Sequence, residues 1–382
     1  MRLFGWELRK IFQTPMIIVF LAVCLAFNVI LIFTNTYDRD YIQFISGTVS
    51  RYGDTADEKF VLAVENQLDS EERDRLLSAS SSVQKDFLRD IETQKFAEAY
   101  VKSAGISGFW ADVLIAKYQT LDSVVARLAE EGADQTLYAA EVTNNLHRQL
   151  FDILLHAVLT EGIIAAFLSM LLIFGMESFY NTAEIVYSAK TGRKIVFSKI
   201  GAGFLCGLGS YVALTAVTLF VYFLVFDFSG IWNSNVSSQF HTVSDQVISK
   251  PFLTWESMTV LEYLWMQIAL GAFLLLIFSL LGAVLGLLFQ NSYLSFAILA
   301  ALWMLFLLLP DWLQKIGWFG SSFAAALSPF WVWNIQSGWF TDLGAGSPLP
   351  WWESVGVAVS IAFSVILLLA AKRKFYRKDL MG

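Results

Sequence analysis

Six long apolar runs constrain what this chain can fold into. A helix needs about 20 mostly apolar residues to cross a hydrocarbon layer of about 30 Å. Hydrophobic residues make up 56% of the 382 residues and charged residues only 15%, which is too little charge to cover a soluble fold. The sequence therefore predicts an all-α integral membrane protein with six transmembrane helices, at residues 15–34, 151–176, 200–226, 260–289, 292–309 and 351–371.

The distribution of basic residues indicates an orientation. Lys and Arg near helix ends collect on the cytoplasmic side of a membrane. If the N-terminus is cytoplasmic, the inner segments 1–14, 177–199 and 372–382 contain twelve Lys and Arg, whereas the outer loops 227–259 and 310–350 contain two. The opposite orientation would reverse this bias. We therefore expect a multi-pass protein with both termini in the cytoplasm.

The long segment 35–150 is acidic, with twenty Asp and Glu against twelve Lys and Arg. Its apolar residues follow helical spacings, so the sequence predicts a helical extracytoplasmic domain inserted between the first and second transmembrane helices. Asp134 is placed to cap a last helix that runs without a break into the second apolar run. The two other stretches with helical spacing are Leu114, Tyr118, Leu121, Val125 and Leu128, and upstream Val83, Phe87, Leu88 and Ile91.

Two further segments have patterns of their own. Residues 1–14 separate an apolar face from a polar face that includes Glu7 and Lys10, which predicts a cytoplasmic helix lying in the membrane interface. The alternative is a simple charged flank of the first membrane helix. The loop 310–350 and its border contain seven Trp between Trp312 and Trp352. Tryptophan favours the headgroup level, so we expect this loop to lie on or dip into the outer leaflet.

Known catalytic patterns are missing from the sequence. It contains no GxxxxGK[ST] phosphate-binding loop, no nucleophile elbow and no HExxH motif, so nothing favours an enzyme. The two cysteines, Cys24 and Cys206, lie inside apolar runs, which favours buried thiols over a disulfide or a metal site.

Ionisable and polar groups within membrane helices are often functional. Asn28, His156 and Glu161 are therefore candidates for a translocation path. The alternative is that they form hydrogen bonds between helices. A proton- or sodium-driven carrier would need more buried charge than these runs contain.

The short segment 177–199 joins the second and third apolar runs. It begins with Glu177, has a break at Thr191-Gly192, and becomes basic towards Lys199. Such a segment is a stiff lever between two membrane helices, and the alternative is an ordinary positively charged inner loop. Its candidate functional residues are Glu177, Asn181, Glu184, Tyr187, Lys190, Arg193, Lys194 and Lys199.

This segment resembles the coupling-helix region of ABC-2-type ABC transporter permeases. The resemblance is carried by Glu177, by the turn Tyr187-Ser188-Ala189-Lys190-Thr191-Gly192-Arg193, and by Lys199. The pattern Tyr-Ser-x-Lys-x-Gly-Arg is similar to the form common in Gram-positive members. Leu327-Ser328-Pro329 fits the family's hairpin between the fifth and sixth helices. The chain departs from the family at Asn181, where many members have Gly, and at Ala189-Lys190, where Pro is frequent.

The resemblance implies a permease subunit of an ABC exporter in a bacterial plasma membrane. A separate ABC ATPase subunit would dock under residues 178–194 and would bind the ATP and Mg, so this chain would bind no cofactor itself. A second permease chain would complete a homo- or heterodimer, with the first, second and fifth helices near the interface, and no nucleic acid is implied. The substrate would be an amphiphile, a peptide or a drug-like molecule. The alternative is a membrane-anchored sensor or scaffold whose extracellular helical domain binds a ligand.

Overall fold

A computed structural model describes the protein at residues 2–34, 36–182, 185–186, 192–244, 249–289, 291–343 and 347–377, and most of these residues are helical. The α-helices in chain order are α1 (Arg2–Phe12), α2 (Pro15–Phe33), α3 (Arg39–Tyr52), α4 (Glu58–Glu65), α5 (Glu71–Ser81), α6 (Thr93–Ser103), α7 (Phe109–Glu130), α8 (Thr143–His147), α9 (His156–Phe179), α10 (Ile195–Val225), α11 (Val260–Phe289), α12 (Ser292–Lys315), α13 (Phe319–Ala326), α14 (Pro329–Asn334) and α15 (Trp352–Arg377).

Six helical stretches in the described chain are long and apolar enough to cross a membrane, which confirms the prediction of six apolar helices. They are α2, the continuous stretch Ala140–Glu177 that ends in α9, and α10, α11, α12 and α15. The second stretch contains 38 residues, so at 1.5 Å per residue it is about 57 Å long. It therefore projects well beyond a hydrocarbon layer of about 30 Å.

The helix α9 lies at the centre of the bundle, where it contacts α2, α10 and α11, and α11 in turn contacts α15. The close approach of α9 and α10 depends on Gly207, because a Cβ atom there would lie 2.6 Å from Ala166 Cα. In the most apolar part of Ala140–Glu177, 72% of the residues are buried, compared with 22% in α2 and 11% in α12. The helices α2 and α12 are therefore peripheral and expose apolar faces.

At one end of the bundle, three chain segments form a single body that we call the head: residues 36–142, 226–259 and 316–351, where described. Leu253 and Trp255 from the second segment pack with Leu121 of α7, and Trp339 from the third shares a core with Tyr138. The head also contains a two-stranded antiparallel hairpin, β1 (Thr242–Ser244) and β2 (Ser249–Pro251), with Thr242 opposite Pro251. We call the opposite end, with α1 and the last turn of α15, the terminal end.

Inside the head, the predicted seam of α7 is confirmed, because Leu114, Tyr118, Leu121, Val125 and Leu128 are all buried. The predicted helix over Val83–Ile91 is wrong. This stretch forms turns, and Asp86 has a φ of 68°, which an α-helix does not accommodate. Leu88 is nevertheless fully buried, so this loop packs its apolar side chains against the rest of the head.

The helix that leads into the second apolar run begins later than the predicted cap at Asp134. Asp134 lies in a separate 3-10 turn, Ala133–Gln135, and the continuous stretch begins at Ala140. Positive φ angles of 52° at Tyr138 and 49° at Ala140 interrupt the chain between them. From Ala140 it runs without a break through a 3-10 turn, α8 and an eight-residue π-helix, Arg148–Leu155, into α9.

The tryptophans between Trp312 and Trp352 do not all behave as interfacial residues. Trp339 and Trp352 are fully buried and Trp331 is nearly so, whereas Trp312 and Trp318 are more than half exposed. The prediction of a surface-lying Trp-rich loop is therefore wrong for Trp331, Trp339 and Trp352. These side chains fill the core between the head and the helix bundle.

Candidate functional site

The terminal end of the bundle contains a buried ion pair between the last turn of α9 and the first turns of α10. Glu177 is 3% exposed and Lys199 is fully buried. The Lys199 ammonium group pairs with Glu177 Oε2 and also donates to the carbonyl of Ile173 at 2.6 Å. The structure thus brings together two residues that are 22 positions apart, at either side of the predicted lever.

The helix α1 adds two more charges to this pair. Lys10 Nζ lies 3.1 Å from Glu177 Oε1 and 2.8 Å from Glu7 Oε1. Glu7 Oε2 lies 3.9 Å from Lys199 Nζ. We call Glu7, Lys10, Glu177 and Lys199 the four-charge cluster, because each positive side chain lies between the two negative ones and the net charge is zero.

The local sequence explains why α1 reaches this position. Glu7 and Lys10 are three residues apart, so they lie on one face of the helix. Ile11 is fully buried in a small core with Phe174 and Phe375, which holds α1 against the bundle. Pro15 then begins α2, where its fixed φ suits the first turn.

The electrostatics of the cluster follow from its burial. Desolvation of a charge costs several kcal/mol unless partners compensate it, and here each charge has an opposite neighbour. Burial lowers the pKa of the Lys10 ammonium, but its contacts with Glu7 and Glu177 outweigh this effect and raise that pKa above its usual value. The cluster therefore holds charged groups together and contains no nucleophile or free acid. It suits mechanical linkage of three helices more than chemistry.

Glu7 is the member that sequence patterns placed wrongly. The prediction assigned it to a polar face, whereas it is 2% exposed. The available signal was the opposite charge at Lys10 in the same turn, because paired charges can enter a protein interior. Lys10 was likewise absent from the predicted coupling residues.

The backbone conformation of Asn181 accounts for an Asn at the position where many ABC-2-type permeases have Gly. It follows the end of α9 with a φ of 54°, and the backbone N–H of Thr182 donates to the carbonyl of Glu177 at 2.8 Å. Glycine and asparagine are the residues that most readily adopt this left-handed conformation after a helix. An Asn in place of a Gly therefore preserves the turn.

The remaining predicted coupling residues lie further along the segment. Lys194 is exposed in a 3-10 turn, Gly192–Lys194, that precedes α10. Arg193 has its backbone in the same turn, but its side chain lies outside the described residues, as do Glu184, Tyr187 and Lys190 altogether. Their roles stay predictions.

Two of the three path candidates meet inside the bundle. The Asn28 amide donates to Glu161 Oε2 at 2.8 Å and to the Thr218 hydroxyl at 3.1 Å, so one side chain bridges α2, α9 and α10. His156 is not part of this contact and lies instead near Gln336 of the head. This arrangement favours the hydrogen-bonding alternative for Asn28 and Glu161 and separates His156 from them.

The head contains a second buried ionic group that the sequence did not reveal. Lys250 pairs with Asp342, and Lys117 Nζ donates to the carbonyl of Ser347 at 2.9 Å. Burial lowers the pKa of Lys117 to about 8. These contacts join all three head segments. Among the residues that the structure describes, no three His, Cys, Asp or Glu side chains form a metal-binding group.

Neither a family model, nor a curated protein, nor a solved structure gave a match. The geometry of the four-charge cluster is therefore the main support for a function.

Proposed function

We propose that this chain is the transmembrane permease subunit of an ATP-driven ABC exporter in a bacterial plasma membrane. The observation that carries the proposal is the four-charge cluster, because it fastens both ends of the 177–199 segment to each other and to α1. In this proposal a separate ATPase subunit binds ATP and Mg and docks on residues 178–194. The chain then moves an amphiphile, a peptide or a drug-like molecule out of the cell.

The cluster supports coupling for an energetic reason. Separating Glu177 from Lys199 would leave each of these buried charges with one opposite neighbour instead of two, and loss of a partner from a buried ion pair costs up to roughly 3–5 kcal/mol. A push on the intervening segment is therefore expected to displace α9 and α10 as one unit rather than to pull them apart. Since Lys10 and Glu7 hold α1 to the same point, α1 would move with them.

The exposed apolar helices support a dimer of permease chains. Most residues in the apolar parts of α2 and α12 are not buried. Such an apolar face can be covered by lipid or by a second chain. In the proposed assembly an identical or related chain covers these faces. The head lies outside the cell and the terminal end in the cytoplasm, in keeping with the twelve inner Lys and Arg.

The first test is purification of the protein in mild detergent from its native host. We expect a P-loop ATPase subunit in stoichiometric amount, and we expect Arg193→Glu to reduce its recovery and its stimulated ATP hydrolysis by about tenfold, as loss of a charge-assisted contact would. Lys374→Glu, at an exposed position of the terminal end, is the matched control. Recovery of the chain alone, or with a kinase or a cell-wall protein, would favour the sensor or scaffold alternative.

A further inference from the structure

A cavity of about 380 Å³ lies between the head and the Ala140–Glu177 stretch, where the π-helix Arg148–Leu155 meets the β-hairpin. Its volume falls within the range of small-molecule sites. Its wall includes the charged or imidazole side chains of His147, Arg148, Asp152 and His241, and also the apolar side chains of Val243, Phe252 and Leu343. None of the proposed coupling residues contributes to it.

The charged residues of the wall lack partners within the part of the chain that the structure describes. Arg148 and Asp152 both face the cavity, yet neither forms an ion pair or a hydrogen bond with any described residue. A guanidinium and a carboxylate normally pair when they can reach each other. Here the two opposite charges line the same cavity without an ion pair between them, so both are available to a third group.

The two histidines add a second observation. His147 is 3% exposed, and neither of its ring nitrogens has a hydrogen-bond partner in the structure. Buried polar groups are normally paired, so this side chain requires a partner from the cavity. His241 lies 4.1 Å away between ring centroids. Its Nδ1 donates to the carbonyl of Val236 at 2.8 Å, which leaves a lone pair on Nε2.

The backbone at this place is also unusual. π-helices are rare and occur frequently at functional sites, and this one spans eight residues. It directs Arg148 and Asp152, which are four residues apart, towards the same cavity. Burial lowers the pKa of His241 to about 4, so at neutral pH this ring adds no positive charge to the wall.

We infer that this cavity binds a small zwitterion of the α-amino acid class with an apolar side chain. Arg148 receives the carboxylate, Asp152 receives the ammonium group, and His147 completes its hydrogen bonding with the same ligand. Val243, Phe252 and Leu343 contact the side chain. The inference goes beyond the proposed exporter function and does not depend on it, because no proposed coupling residue lines the site and binding needs no ATPase.

The test uses purified full-length protein in detergent and three related probes: L-leucine, L-leucinamide and N-acetyl-L-leucine. The second lacks the negative charge and the third lacks the positive charge. We expect leucine to bind by isothermal titration calorimetry and to raise the unfolding temperature. Each analogue should bind about tenfold more weakly, since each loses one charge-assisted hydrogen bond.

Variants assign each charge to its partner. Arg148→Gln should abolish the preference for leucine over leucinamide, and Asp152→Asn should abolish the preference over N-acetyl-leucine. Arg127→Gln, at an exposed position of α7, is the control and should leave all three affinities unchanged. The comparison of analogues on the unaltered protein stands even if a variant fails to fold. Equal affinity for the three probes, absence of leucine binding at about 1 mM, or unchanged preferences in both variants would overturn the inference.

Discussion

Lys199 shows how one residue can hold three helices together. It is fully buried, and its ammonium group contacts Glu177, Glu7 and the carbonyl of Ile173. This charge can be buried away from water because two carboxylates lie beside it. Removal of such a residue does more than remove a contact, since it leaves its partners charged in a buried place.

We therefore predict that Lys199→Met destabilises the protein by about 3–5 kcal/mol. The double variant Glu177→Met with Lys199→Met should recover most of this loss, because it leaves no unpaired charge from the central pair. Thermal unfolding in detergent measures both. A double variant as unstable as the single one would show that the pair contributes by its shape and not by its charge.

Lys117 gives a prediction about pH. Its pKa is lowered by burial from 10.5 to about 8, so between these values the unfolded chain binds a proton that the folded chain has lost. Stability then rises with pH across this window. Relative to Lys117→Met, the native protein should gain about 3 kcal/mol at most between pH 7 and pH 10.

The measurement is the difference in unfolding free energy between the native protein and Lys117→Met at several pH values. Lys102→Met, at an exposed position of α6, controls for the loss of a lysine. A difference between native protein and Lys117→Met that stays constant from pH 7 to pH 10 would contradict the prediction.

At the scale of elements, α1 is the part whose role is easiest to isolate. It is held both by apolar packing through Ile11 and by the charges of Glu7 and Lys10. Glu7→Gln combined with Lys10→Gln removes the charges and retains the packing. If the exporter proposal holds, we predict that the ATPase subunit still co-purifies while its stimulated hydrolysis falls severalfold. Stimulation equal to that of the native protein would remove α1 from the coupling mechanism.

Sequence patterns predicted the elements unevenly, for a physical reason. The six apolar helices follow from the length of their apolar runs, and α7 follows from periodicity, since it is long and buries a regular stripe. The stretch Val83–Ile91 has a similar stripe but only a few residues, and a single positive φ at Asp86 suffices to turn it into a loop. The π-helix Arg148–Leu155 has no sequence signature at all. Short elements therefore depend on their neighbours in space.

The candidate site was also only partly predictable. Glu177 and Lys199 stand out because charges at the ends of apolar runs are few. Their pairing, and the position of α1 beside them, depend on how α9 and α10 pack. The close contact between Gly207 and Ala166, which are distant from this pair along the helices, contributes to that packing.

At the scale of the whole molecule, the head is the feature that sequence analysis missed. The prediction was an inserted domain beside two outer loops, whereas all three segments share one core. The Lys250–Asp342 pair joins the second and third segments and lies close to α7, which belongs to the first segment. Contacts between residues so distant in sequence leave no local pattern.

We predict that Asp342→Asn loosens the entire head. The substitution leaves Lys250 buried without its partner, at a cost of about 3–5 kcal/mol. Hydrogen exchange should accelerate in α6 and α7, although neither contains the substituted residue. Asp311→Asn, at an exposed position of α12, is the control. An effect confined to residues near position 342 would show that the three segments are stable independently.

The construction of the head also determines how the bundle can move. Its three segments connect α2 to the Ala140–Glu177 stretch, α10 to α11, and α12 to α15, so every apolar helix enters the same body at one end. Helices joined in this way are held together at the head. Apart from α1, α9 and α10, which the four-charge cluster holds together, these helices can separate more at the terminal end than at the head. A rocking motion would thus have its pivot at the head and its widest excursion beside the 177–199 segment.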